Sequence, residues 1–205
     1  MLNNQNINER VRKGKQAETN IIARLKAAGP ITLGTLTLTG WKASSDSEDM
    51  HDKIDAWVTA TGPRGKALGS VQIKFRESGS DLGIACVRPY TDHHVFRSQW
   101  ENWTVPWDRD METDVDFYVV KVPDMGLVVV EAKPVKAVVD QLLEDLADEP
   151  TFRGSVFRSD PEGVELRFTT DKGKGKGYSH GQRKIIAYFT PRALVKMGGV
   201  VVQGG

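Results

Sequence analysis

The segment Lys53–Glu77, KIDAWVTATGPRGKALGSVQIKFRE, decides how the rest of the chain is read. Lys53 to Ala60 and Ser70 to Glu77 read as strands, and Thr61-Gly62-Pro63-Arg64-Gly65-Lys66 between them consists of turn residues, so the pair predicts a β-hairpin. Successive strand side chains point to opposite faces. In Val71-Gln72-Ile73-Lys74-Phe75 this sets Val71, Ile73 and Phe75 on one face and Gln72 and Lys74 on the other. Asp55 likewise faces away from Ile54, Ala56 and Val58, and Trp57 shares its side. Folding the hairpin near Arg64 and Gly65 brings Asp55 opposite the Gln72–Lys74 stretch, so an acid, an amide and an ammonium share one end of one face.

Upstream, a helix is expected from about Ile7 to Ala28, with Val11, Ile21, Ile22 and Leu25 at three- and four-residue spacings and Gly29-Pro30 as its stop. Glu18 falls on that apolar stripe, along the line Val11, Gly14, Glu18, Ile21, Leu25. A carboxylate aimed at a core costs several kcal/mol unless something pairs with it. Ile31 to Thr39 alternates as one Thr-rich strand, and the acidic run Ala43 to Asp52 reads as a surface loop. Downstream, Leu82 to Val87 reads as a strand carrying Cys86 as a small buried thiol. Thr91 to Asp110 is mixed and partly helical, and holds Trp100, Trp103 and Trp107. Val115 to Val122 and Leu127 to Ala132 form a second strand pair, and Val135 to Ala147 an amphipathic helix. Val164 to Thr169 and Ile185 to Phe189 are strands on either side of a Gly/Lys loop. The order of elements predicts an α/β fold with a central mixed β-sheet flanked by helices.

Size and composition suit one domain over residues 1–205, with a core over about 7–150 and a C-terminal extension over about 151–205. Apolar residues make up 39% and charged residues 27%, a core-forming balance rather than a disordered one. The net charge of +1 excludes a wholly basic nucleic-acid coat, so any nucleic acid must be met by a local patch. With one cysteine there is no internal disulfide, and without a Cys/His cluster no structural zinc is expected. The N-terminus lacks the apolar run of a secretion signal, and apolar stretches such as Leu127–Val130 are too short to span a bilayer. A cytoplasmic protein with no membrane partner is expected.

The grouping at the hairpin end suits phosphodiester hydrolysis. Mg²⁺ takes hard oxygen ligands, and Asp55, the Gln72 side-chain oxygen and the Ile73 backbone carbonyl could hold one ion. A bound ion polarises the phosphate and acidifies a water. Lys74 would orient that water and offset charge on the phosphorane, while Glu18 would add the charge Gln72 lacks. Mn²⁺ is expected to substitute for Mg²⁺.

These residues resemble the PD-(D/E)XK nuclease superfamily: a helix bearing Glu (Glu18), an Asp on the second core strand (Asp55), and an acid-x-Lys on the third, here Gln72-Ile73-Lys74. The Gln-x-Lys form is similar to the variant seen in Mrr-like restriction enzymes and some phage nucleases. The resemblance covers roughly residues 10 to 133 and implies a restriction-endonuclease-like core and Mg²⁺-dependent, endonucleolytic hydrolysis of DNA. Its motifs are short and degenerate, so order and spacing carry it. The neutral Gln72 leaves one and two ions both open. Cutting both strands of a duplex with one site per chain would favour a homodimer.

A rival placement uses the strand end Glu131-Ala132-Lys133 with Asp114 and Asp116 upstream, though no helix with an inward Glu precedes it; the other reading of these residues is the solvated exit of a later strand pair. Asp46, Glu48, Asp49, His51 and Asp52 could support or bridge a metal, or form a solvated loop. His93 and His94, adjacent on an extended chain, point to opposite faces and do not share a site. Lys172, Lys174, Lys176, Arg183 and Lys184, with Tyr178 and His180 between them, form a basic loop suited to a phosphate backbone; its spacing is not that of a nucleotide-binding P-loop. From a different class, the chain could be a non-catalytic nucleic-acid-binding or structural protein on the same scaffold. No GxSxG or Cys/His arrangement supports a Ser or Cys hydrolase.

Overall fold

A computed structural model describes residues 4–52, 54–75, 82–87, 115–122, 125–147, 156–160, 163–171 and 182–203. In chain order the elements are α1 (Asn4–Ala27), β1 (Ile31–Leu33), β2 (Leu36–Ala43), α2 (Asp46–Asp52), β3 (Ala56–Gly62), β4 (Gly65–Lys74) and β5 (Leu82–Val87). Then follow β6 (Phe117–Val122), β7 (Gly126–Glu131), α3 (Ala132–Ala147), β8 (Val156–Asp160), β9 (Val164–Asp171), β10 (Gln182–Phe189), α4 (Pro191–Lys196) and β11 (Val200–Val202).

The expected hairpin is β3–β4. Pro63 and Arg64 form its turn, Gly62 pairs with Gly65, and the ladder runs antiparallel to Ala56 opposite Val71. Gly65 takes φ +107°, which a residue with a Cβ rarely adopts. The Thr-rich run before it is a hairpin of its own rather than one strand. Gly34 at φ +57° opens a two-residue turn, so Leu33 pairs with Leu36 and the alternation passes through the turn unbroken.

Seven strands form the main sheet in the order β1-β2-β3-β4-β6-β7-β11, and every pair is antiparallel except β4–β6. That parallel pair begins only at Val71 beside Phe117, so the first half of β4 is held by β3 alone and the second half from both sides. The sheet curls until its edge strands β1 and β11 meet. One face carries Ala56, Val58, Val71, Ile73, Val119 and Val129 and is covered by Ile21, Ile22 and Leu25 of α1. The other carries Tyr118, Val120, Val128 and Val130 under Val135, Val139 and Leu142 of α3. β6 and β7 are therefore buried on both faces, as their nearly continuous apolar sequences require.

A second, antiparallel sheet has the order β5-β10-β9-β8. Its Val164, Ala187 and Phe189 join Ala193 and Leu194 of α4 in the α3 cluster, and β11 pairs with β7, so residues beyond 151 complete the core. Only the C-terminal part of the α1 stripe is used: Val11 is 55% exposed, and Glu18 sits half-buried where the helix leaves the sheet.

Candidate functional site

Asp55 immediately precedes β3, at the end of the β3–β4 ladder. Its backbone N–H donates to Val71 O at 2.9 Å, and its Oδ2 accepts from Ile73 N–H at 2.6 Å. Extending the register from Ala56 opposite Val71 sets Asp55 opposite Gln72, where cross-strand side chains on one face are neighbours. Gln72 is 5% exposed, and its Oε1 has no hydrogen-bond partner among the described residues. A buried amide oxygen left in that state costs about 1–3 kcal/mol.

Burial raises the Asp55 carboxyl from an ordinary 3.8 to about 7; the Ile73 N–H opposes this, Glu18 and Asp49 push further up, and the Lys74 ammonium pulls down. Glu18 is raised first by burial, then by Asp49, with Lys15 opposing. So Glu18, Asp55 and Lys74 lie close enough for their charges to act on one another, with Gln72 beside Asp55 on the strand that carries Lys74. The sequence placed these four together and the structure brings them to one end of the sheet.

Asp49 was hidden in the acidic run. Residues 46–52 form α2 rather than a loop, because Ser45 caps the helix: its Oγ accepts from Glu48 N–H at 3.3 Å, while Glu48 Oε2 accepts from Ser45 N–H at 2.7 Å and from Ser45 Oγ at 2.8 Å. This reciprocal pair is a capping box, and the Ser-x-x-Glu spacing of Ser45 and Glu48 was its signal. Glu48 Oε1 accepts from Trp57 Nε1 at 3.2 Å, Ser44 N–H donates to Asp55 O at 3.2 Å, and Lys15 of α1 forms an ion pair with Asp46. Trp57 thus anchors α2 against β3.

The rival acids lie elsewhere. Asp116 flanks β4 on the β6 side, beside Ser70, whereas Asp55 flanks it on the β3 side, about 7 Å further along at strand spacing. Asp116 Oδ2 accepts from Ser70 N–H at 2.7 Å and from Ser70 Oγ at 2.9 Å, and Asp116 O accepts from Ala132 N–H at 2.8 Å. Asp116 therefore staples the start of the parallel pair. Glu131 is half-buried opposite Phe117, and Lys133 is exposed at the start of α3.

Arg183 and Lys184 lie on β10. Lys172, Lys174, Lys176, Tyr178, His180, His93, His94, Asp114, Trp100, Trp103 and Trp107 lie outside the described residues. An open cleft of about 440 Å³ lined by Lys26, Pro30, Thr39 and Trp41 sits at the other end of α1 and contains none of the clustered acids.

Among the described residues, no three His, Cys, Asp or Glu side chains stand close enough to chelate an ion by themselves. The donors at the hairpin end are instead a carboxylate, an amide oxygen and a main-chain carbonyl, the hard-oxygen type that Mg²⁺ takes. Among the described residues no helix is long and apolar enough to cross a membrane. Comparison with known proteins finds no matching family model, no matching curated protein and no matching solved structure.

Proposed function

We propose that the chain is a Mg²⁺-dependent nuclease hydrolysing DNA phosphodiester bonds, with its site at the Asp55 end of the β3–β4 hairpin. One observation carries this reading: a buried carboxylate and a buried amide oxygen with no partner are held side by side on neighbouring strands. Each costs free energy as it stands, and a cation placed between them would offset both costs. Asp55, Gln72, the Ile73 carbonyl and Glu18 would hold the ion, which when bound supplies a polarised phosphate and an acidified water.

The protein's own groups would do the remaining work. The Ile73 N–H fixes the Asp55 carboxylate, so its second oxygen can face a ligand. Lys74, on the same face as Gln72, would orient the attacking water and offset charge on the phosphorane. The meander β2–β3–β4, the parallel β6 and the covering α1 and α3 support a restriction-endonuclease-like core. A second reading, a non-catalytic nucleic-acid-binding protein, draws on the absence of three chelating acids among the described residues.

The test is cleavage of plasmid and oligonucleotide DNA in Mg²⁺ or Mn²⁺. Asp55→Ala and Lys74→Ala should each lower the rate about 100-fold or more, the scale of losing one transition-state stabilising group. Glu131→Ala and Lys133→Ala should cut normally. The reverse pattern moves the site to β7. A wild-type chain that binds DNA and cuts none of it with either ion establishes the second reading.

A further inference from the structure

We infer that Asp49 is a further member of this cation site, acting through metal-bound water, and that α2 is the element that presents it. The inference rests on the nuclease reading above and extends it to a residue outside the superfamily's pattern.

The geometry comes from two helices meeting at paired positions. Asp46 and Asp49 lie one turn apart on α2, and Lys15 and Glu18 lie one turn apart on α1, so each pair shares a side of its helix. Lys15 joins Asp46, which leaves Asp49 on the Glu18 side. The β3 end is fixed to the same helix by Trp57 Nε1 on Glu48 Oε1 and by Ile54 N–H on Glu48 O at 3.4 Å. Glu18, Asp49 and Asp55 are thereby held within reach of one another's charge by three separate elements.

Clustered acids alone would signify nothing, since α2 could carry them as a solvated face. The independent observation is Gln72, at least nine-tenths buried, beside Asp55, with an oxygen that lacks a donor. That oxygen calls for an electropositive partner where the acids converge. Gln72 is neutral where the superfamily's pattern has a third acid, and Asp49 restores the missing charge. Because no three acids chelate directly, Asp49 would reach the ion through its water shell, several members of which Mg²⁺ normally keeps.

The experiment is calorimetric titration of the full chain with Mn²⁺, comparing wild type, Asp49→Asn, Asp55→Asn and Asp140→Asn, the last an exposed acid on α3. Thermal melting in chelator is measured in parallel. Asp49→Asn should weaken Mn²⁺ binding about tenfold or more, the usual effect of removing a group that orients first-layer ligands. Asp55→Asn should weaken it at least as much, and Asp140→Asn should leave it unchanged. In chelator Asp49→Asn should melt no lower than wild type, because repulsion among the acids is relieved. Unchanged Mn²⁺ affinity in Asp49→Asn with a loss in Asp55→Asn overturns the role of Asp49 and leaves the active-site reading standing. Loss of binding accompanied by lower melting in chelator assigns Asp49 to the fold and also overturns it. A wild-type chain that binds no Mn²⁺ overturns both.

Discussion

Replacing Asp55 by Asn gives the sharpest test of the site, because burial and charge act on this residue in a direction opposite to most acids. Its carboxyl rises from 3.8 in the unfolded chain to about 7 in the fold, with burial as the largest cause. The folded state therefore binds more protons than the unfolded state between those values, and stability falls as pH rises through that window. The stabilisation is fully present below pH 3.8 and lost above about pH 7. The interval is about three pH units, and at about 1.4 kcal/mol per unit the swing approaches roughly 4 kcal/mol. Glu18 titrates in the same direction and adds to it.

Asn at position 55 keeps an oxygen for the Ile73 N–H and never ionises, so it lacks the swing. Urea unfolding of both proteins in chelator, at pH 5 and pH 8, isolates the difference. The variant should gain on wild type by about 2–4 kcal/mol between the two pH values, the lower figure allowing for relaxation around the charge. At pH 8, Mg²⁺ at about 100 times its dissociation constant should return about 2.7 kcal/mol to wild type and much less to the variant. A wild-type-minus-variant difference that stays flat from pH 5 to pH 8 would refute the claim that Asp55 is ionised at a cost.

Three further substitutions separate site from scaffold. Ser45→Ala removes the cap of α2 and should cost about 1 kcal/mol, with weaker Mn²⁺ binding in the same titration because Asp49 is presented less often. Asp116→Ala takes the acceptor from Ser70 N–H and Oγ and should cost about 1–3 kcal/mol in urea unfolding while leaving Mn²⁺ affinity unchanged. Gly199→Ala would place a Cβ 2.6 Å from Leu194 O, in backbone that cannot step aside, and should lower stability by about 1–3 kcal/mol on thermal melting with the site intact.

The β3–β4 hairpin was legible because its determinants are local: a turn centred on Pro63 and Arg64 fixes which residues face each other. Asp55 and Gln72 follow from counting outward. Glu18 was legible as a charge out of place on an apolar stripe, although that stripe covers the sheet only from Ile21 onward. The turn at Gly34-Thr35 escaped notice because Leu33 and Leu36 keep the alternation in phase across it. α2 was hidden by composition, since a run of acids reads as solvent-facing until the capping of Glu48 by Ser45 is weighed. The second sheet had no local signal: β5 pairs with β10 far along the chain, and such pairing is decided by the shared core rather than by neighbouring residues. β8 and β11 are short strands that depend on β9 and β7 in the same way.

The one-sided first half of β4 has a consequence for how this protein can vary. Beyond Val71 the hairpin is paired across only one flank, so its outer arm can grow or shrink without disturbing the parallel neighbour. Matched additions, one residue in each arm, keep Asp55 facing Gln72. A lone insertion at the turn competes with the existing ladder and, if accommodated there, swaps inward for outward along an entire strand. Descendants of this sequence are thus free to change the hairpin's reach but held to an even count in doing so.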